Sequence, residues 1–248
     1  MALMTIHDVD AAQVRCTRLS VGVREVEVER LLDLDAGAVA AWEERRSPIT
    51  EGVVELLEDL TAVAAAETVR LIEHASQTGQ IETFAEDLDV VAATAGRMSL
   101  ASVHRVCAGR AAIAVPDTGV VVREANGEAR DGWTVCVTAA CGMGLGQVHK
   151  WFDVPRRLAQ YWLNGARPTP PGVLAELREI TEAVRVHIDE LAADVDVADD
   201  PIVWVCATEE QMEAQWPARA DLPLPTHQVC AARAAAAVEG ARLVFLPG

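Results

Sequence analysis

Two nine-residue stretches, HRVCAGRAA at 104–112 and HQVCAARAA at 227–235, agree at seven positions in a chain of 248 residues. Repetition at a near-constant offset limits the possible folds more than any local propensity does, because each copy must close the same kind of core. Sliding the chain by 120 residues brings LLDLDAGAVAAWEERRSPITEGVVELLEDL (31–60) onto WFDVPRRLAQYWLNGARPTPPGVLAELREI (151–180) without a gap. Asp33 meets Asp153, Trp42 meets Trp162, Pro48 meets Pro168, and Gly52-Val53 meets Gly172-Val173; Cys16 lands on Cys136. The nine-residue stretches align at 123 rather than 120, so the second copy carries three more residues in between. The expected organisation is an N-terminal arm (1–12), a first repeat (13–122), a linker (123–132) and a second repeat (133–248).

Within each copy the hydrophobic period changes once. The first half, 13–76 or 133–193, reads as helix–turn–helix followed by a long helix. In copy one a helix at 23–32 stops at Asp33-Leu34-Asp35, where aspartate suits the left-handed backbone of a tight turn. The next helix, AGAVAAWEER (36–45), turns Val39 and Trp42 to one face, and Ser-Pro breaks it. A long helix follows over 51–75, with its counterpart over 171–193. In copy two Pro155 suits a first helical turn, and Ala159 and Trp162 take the inward positions.

The second half, 79–125 or 201–248, reads as β-α-α-β. GQIETFA and PIVWVCA are the entering strands, and GVVVREA and ARLVFLPG the closing ones. Two strands alone make a marginal sheet. The fold class expected is therefore α+β, mainly α: two tandem units in a pseudo-twofold intrachain dimer with a joint four-stranded sheet. The helices carrying the repeated motif are expected to face each other across the axis. The segment 123–132, rich in Gly and charge, reads as a solvated linker.

The stretches LLDLDAGAVAAWEERRSPITEGV and WFDVPRRLAQYWLNGARPTPPGV resemble the helix-turn-helix of the YdiL-like regulators, which include anti-CRISPR-associated repressors. The shared pattern is an aliphatic residue in the turn, a Trp late in the recognition helix, and a basic, Pro-containing stop before a long helix. WVCATEEQMEAQW, PTHQVCAARAA and RLVFLPG resemble the C-terminal dimerisation region of the same family. The resemblance implies sequence-specific DNA binding and transcriptional control, with no chemistry performed. It also implies that this chain holds both halves of what is elsewhere a dimer of single-copy subunits.

Charge separates the copies. The whole chain carries −17, which opposes non-specific attraction to phosphate. Yet the window 145–170 has Lys150, Arg156, Arg157 and Arg167 against Asp153, a net of +3, while 23–50 has four Arg and seven acids, a net of −3. With Ala159 and Trp162 inward, the second recognition helix exposes Arg156, Arg157, Gln160, Tyr161 and Asn164, side chains able to contact phosphates and base edges. The first exposes Ala36, Gly37, Ala38, Ala40, Ala41 and Glu44, with Arg45 and Arg46 left for phosphate. The candidate DNA-binding residues are Lys150, Arg156, Arg157, Gln160, Tyr161, Asn164, Arg167, Arg45 and Arg46. Double-stranded DNA is the expected partner, with a homodimer or a protein partner engaging the first repeat. A scaffold whose helix-turn-helix surfaces no longer bind DNA is the alternative.

Other constellations point to structure. His104/Cys107 and His227/Cys230 have i,i+3 spacing and could surround zinc if paired. Buried cysteine behaves as a small hydrophobe, however, and packing is the reading preferred, with no metal or cofactor expected. Arg110 and Arg233 recur with the motif and suit an internal ion pair or carbonyl cap. CGMGLG (141–146) lacks the Lys-Ser/Thr of a phosphate loop and reads as a helix start. The acidic stretch holding Asp194, Asp196, Asp199 and Asp200 reads as a solvated loop. No run approaches a membrane span, the start lacks the features of a signal peptide, and scattered cysteines suit a cytoplasmic protein.

Overall fold

The architecture described here is a computed structural model covering residues 11–195, 201–219 and 221–247. Asp196, Asp199 and Asp200 lie outside the described residues. The chain is α+β and mainly helical. Its first half runs α1 (Ala11–Val21), α2 (Glu25–Leu31), α3 (Ala38–Glu43), α4 (Glu51–Thr78), β1 (Gln80–Phe84), α5 (Asp87–Ala93), α6 (Ala101–Ala114) and β2 (Gly119–Arg123). After β3 (Ala129–Asp131) come α7 (Trp133–Ala140), α8 (Leu145–Trp151), α9 (Arg156–Leu163), α10 (Pro171–Ala193), β4 (Ile202–Val205), α11 (Glu209–Gln215), α12 (Leu224–Ala237) and β5 (Arg242–Phe245).

The turns between the paired short helices form where aspartate was expected to allow them. Asp33 and Asp153 both hold left-handed backbone, at φ 51° and 46°. The short helices start alike: the Glu27 carboxylate accepts the Arg24 N–H at 2.7 Å, and the Gln147 amide oxygen accepts the Gly144 N–H at 3.1 Å. Each closes a free amide of its helix's first turn. Val39 and Trp42, and Ala159 and Trp162, are buried as the spacing predicts.

Two compact units divide the chain, and neither is a sequence repeat. One is built from residues up to 59 together with 183 onward; the other is 60–182. In the first, α1 lies against α12 and β5; in the second, α7 lies against α6 and β2. The opening helices of each half thus complete the closing β-α-α-β of the other half. α4 and α10 each begin in one unit and end in the other. Hydrophobic periodicity finds the elements and their inward faces, but it says nothing about which distant element receives each face.

Among the described residues the joint sheet does not form. Among the described residues there is a three-stranded sheet, β1-β2-β3, in the second unit and a two-stranded sheet, β4-β5, in the first. β1 and β2 run parallel with Ile81 opposite Val120, and β4 and β5 run parallel with Val203 opposite Leu243. Each pair buries its inner residues (Ile81, Val120 and Val122; Val203, Val205, Leu243 and Phe245). A helix of the same half and one from the other half cover that face, so no strand from elsewhere is needed.

α6 and α12 lie in different units, each packed on the opening helix of the other half. Gly109 shows how close this packing is: a Cβ there would lie 2.0 Å from the Cys136 carbonyl oxygen.

The segment 123–132 is a hairpin rather than a solvated linker. β3 pairs antiparallel with β2, Val121 opposite Asp131. Asn126-Gly127 makes the turn, with Gly127 at φ 83° and the Asn126 side chain accepting the Glu128 N–H at 2.9 Å. That dipeptide is a hairpin signal, masked here because β3 is three residues long and too polar to show alternation.

Candidate nucleic-acid interface

The second unit presents α8 and α9 as a helix-turn-helix whose turn is held from inside. The His149 Nδ1–H donates to the Val154 carbonyl at 2.9 Å, and Phe152 meets Trp162 edge-on at 6.3 Å between ring centres. Ala159 and Trp162 anchor α9 to the core, which leaves Arg156, Arg157, Gln160 and Asn164 exposed and Tyr161 half-buried. The far end of α9 is docked on the hairpin. Arg130 donates to the Asn164 carbonyl and pairs with Glu124. Gly165, at φ 67°, passes so close that a Cβ would lie 3.1 Å from the Asp131 carbonyl.

Among the described residues Lys150, Arg156, Arg157 and Arg167 make no ion pair, whereas Arg18, Arg70, Arg123, Arg130, Arg185 and Arg219 are each matched to a carboxylate. Two of the four unpaired cations converge on an aromatic ring. Arg157 Nε–H donates to the Tyr161 hydroxyl at 2.7 Å, and its guanidinium lies 5.5 Å from the ring centre. The Arg167 guanidinium lies 4.9 Å from the same centre. The Asn164 side-chain oxygen accepts the Ala166 N–H at 3.0 Å, so part of this residue caps the turn after α9. Gln160 projects to solvent from the middle of the face.

The equivalent surface of the first unit is built differently. The acids that gave window 23–50 its negative sum are partly internal: Glu27, Glu29 and Glu43 are buried. Glu29 accepts the backbone N–H of Gly37 at 2.7 Å and of Val39 at 3.4 Å, filling the start of α3 with its own carboxylate. Glu43 takes Arg18 through two bonds of 2.6 and 3.1 Å. Arg45 is 5.4 Å from the Phe245 ring centre, and Arg46 pairs with Glu44 at 2.5 Å. Both arginines have partners inside the unit, and α3 offers alanines where α9 offers Arg, Gln and Tyr.

The repeated His-x-x-Cys motifs are buried in polar networks, one per unit. In the second unit His104 meets Thr83 Oγ1 at 2.8 Å and Glu67 at 3.4 Å, and Arg70 holds Glu67 from the other side. Burial opposes the charge on Glu67, but its bonds to Arg70 and His104 outweigh that and bring its pKa down to about 2. In the first unit His227 Nε2 accepts the Cys206 N–H at 3.0 Å, which places its proton on Nδ1. That proton is donated to His187 Nε2 at 2.9 Å, and His187 Nδ1–H donates to Glu190 at 3.3 Å. Arg219 grips Glu190 through bonds of 3.0 and 2.8 Å. At an offset of 120, Glu67 and Arg70 match His187 and Glu190, so the acid has moved one turn along the helix. Burial takes His227 down to about 3 and lowers His187 as well.

Cys107 and Cys230 point at backbone carbonyls of their own unit, Ala64 and Val184. Burial pushes the Cys107 thiol up to about 11. Among the described residues no three His, Cys, Asp or Glu side chains are grouped to hold a metal, and no helix is long and apolar enough to cross a membrane. No protein-family model, curated protein or solved structure matches the chain.

Proposed function

We propose that the chain is a sequence-specific DNA-binding transcriptional regulator that reads duplex DNA with α9 of its second helix-turn-helix. One observation carries this reading. Lys150, Arg156, Arg157 and Arg167, four cations without carboxylate partners among the described residues, lie on and around the exposed side of α8–α9, beside the exposed amide of Gln160. In a protein of net charge −17, an uncompensated basic surface on a helix-turn-helix suits phosphate contact, with Gln160 placed for base edges. The resemblance to YdiL-like regulators supports the same reading. It extends to a duplicated, pseudo-dimeric architecture, to a cytoplasmic setting and to action by binding rather than catalysis. Support for duplication comes from the matched left-handed turns at Asp33 and Asp153, and from the reciprocal packing of α1 on α12 and α7 on α6.

A gel shift with genomic fragments at two salt concentrations tests the proposal. Specific binding that weakens with salt is expected, and Arg156→Glu with Arg157→Glu should abolish it. An unchanged shift in that variant removes α9 from the interface.

The first helix-turn-helix has a second role in this reading, as a contact for protein. Its short helices leave Val26 and Leu31 exposed, at 61% and 42%, beside a recognition helix without free cations of the α9 kind.

A further inference from the structure

We infer that Tyr161 is a positioning residue, a ring that holds Arg157 and Arg167 in place for contact with the DNA backbone; this rests on the DNA-binding reading above. Two exposed guanidiniums carry like charge, and each side chain has many rotamers to lose on binding. Left alone they would spread into solvent. Here both lie against one aromatic ring, at 5.5 and 4.9 Å from its centre. The ring's negative face attracts each cation, so it offsets their mutual repulsion without neutralising either.

The geometry leaves the right atoms free. Arg157 spends its Nε–H on the Tyr161 hydroxyl at 2.7 Å, and its two terminal nitrogens remain for a bidentate anion contact. Arg167 reaches the ring from beyond the turn at Gly165, and its own backbone N–H donates to the Tyr161 carbonyl at 3.2 Å. The side chains therefore come from the first turn of α9 and from the loop after it, and one residue in between ties them together. Among the described residues no carboxylate pairs with either arginine, so the charge stays available.

The first half of the chain supplies an internal comparison. At the offset of 120, Arg157, Tyr161 and Arg167 match Gly37, Ala41 and Ser47. All three members of the stack are present in one copy and all three are missing from the other, as a single device would be. This Tyr is also the only one in the sequence.

A positioning role predicts a particular pattern of loss. Phosphate contacts carry no sequence information, so losing the ring should weaken all duplexes alike. The arginines remain, so the number of released counterions should not change. The experiment is fluorescence anisotropy of the full-length protein with two labelled duplexes: one selected from genomic fragments, one of mixed sequence, each over a range of salt. Tyr161→Ala should lose about tenfold in affinity for both duplexes, the scale of two cation–π contacts and two ordered side chains. The ratio between the duplexes and the salt slope should be unchanged. Tyr161→Phe keeps the ring and should stay within about threefold of the parent. Arg157→Ala should lower the salt slope by about 0.9. If the parent binds and Tyr161→Ala binds equally well, or if Tyr161→Phe is as weak as Tyr161→Ala, the positioning role fails while the DNA reading survives. If the parent shows no salt-sensitive binding to either duplex, the DNA reading itself fails.

Discussion

Single residues decide which chemistry each half of the chain keeps. Histidine stands at the head of both motif helices, yet its partner is a carboxylate in one unit and a second histidine in the other. The consequence is a difference in acid response. His227 is held well below the ordinary histidine value of 6.5, at about 3, by burial first and by the neighbouring His187 second. A base whose folded pKa is lowered favours the folded state above 6.5, and that advantage is lost as pH falls from 6.5 toward 3. Glu67 is a carboxylate lowered from 4.5 to about 2, so its contribution is complete above 4.5 and fades only below that. Between pH 6.5 and 4.5 the loss of stability should therefore come from the histidine pair of the first unit. Its steepness is bounded by about 1.4 kcal/mol per pH unit for each proton taken up. Urea titrations across this range should show the decline in the parent and a flatter profile in His227→Gln; a parent profile that is flat to pH 4.5 rules out the neutral pair. A second residue-scale expectation concerns Gly109. Ala232 holds the matching position without difficulty, but at Gly109 a methyl would meet the Cys136 carbonyl at 2.0 Å. Gly109→Ala should cost about 1–3 kcal/mol, as overpacking does, read as a lowered thermal midpoint; an unchanged midpoint contradicts the close approach of α6 and α7.

At the scale of elements, much was legible beforehand. Helix spacing marked Val39, Trp42, Ala159 and Trp162 as inward, and all four are buried. Asp33 and Asp153 announced the turns they form. What escaped notice was short or non-local. β3 has three residues, so no alternation could reveal it, although Asn126-Gly127 carried the signal. The Arg157–Tyr161 pair has i,i+4 spacing and was readable in principle, but Arg167 joins it only because Gly165 reverses the chain. The hairpin matters to the proposed site because it anchors α9: Arg130 bonds the Asn164 carbonyl where the helix ends. Arg130→Ala should leave α9 helical but speed amide exchange over 164–167 and weaken duplex binding by a few-fold, since an immobilised loop loses less entropy on binding. Unaltered exchange in that loop shows that the hairpin does not hold it.

The whole molecule follows a rule that neither half of the sequence states alone. Residues 11–59 complete the core around β4, α12 and β5, and the helices after 132 complete the core around β1, α6 and β2. Local pattern specifies each helix and strand but not this exchange, because a buried stripe on α1 suits α12 as well as its own α6, whose motif is nearly the same. The exchange has a consequence that can be measured by dividing the chain in the hairpin turn near Gly127. Each half would then hold an opening helix bundle and a β-α-α-β without the partners seen in the structure: α1 without α12, α7 without α6. Buried faces left open to water lose about 25 cal/mol for each Å² of apolar area, and a domain's net stability is only about 5–15 kcal/mol. Either half produced alone should therefore lack cooperative unfolding or self-associate. The two halves produced together should co-purify one-to-one and recover a single cooperative transition. If each half instead unfolds cooperatively as a monomer with native near-ultraviolet dichroism, the halves close on themselves and the exchanged architecture is wrong.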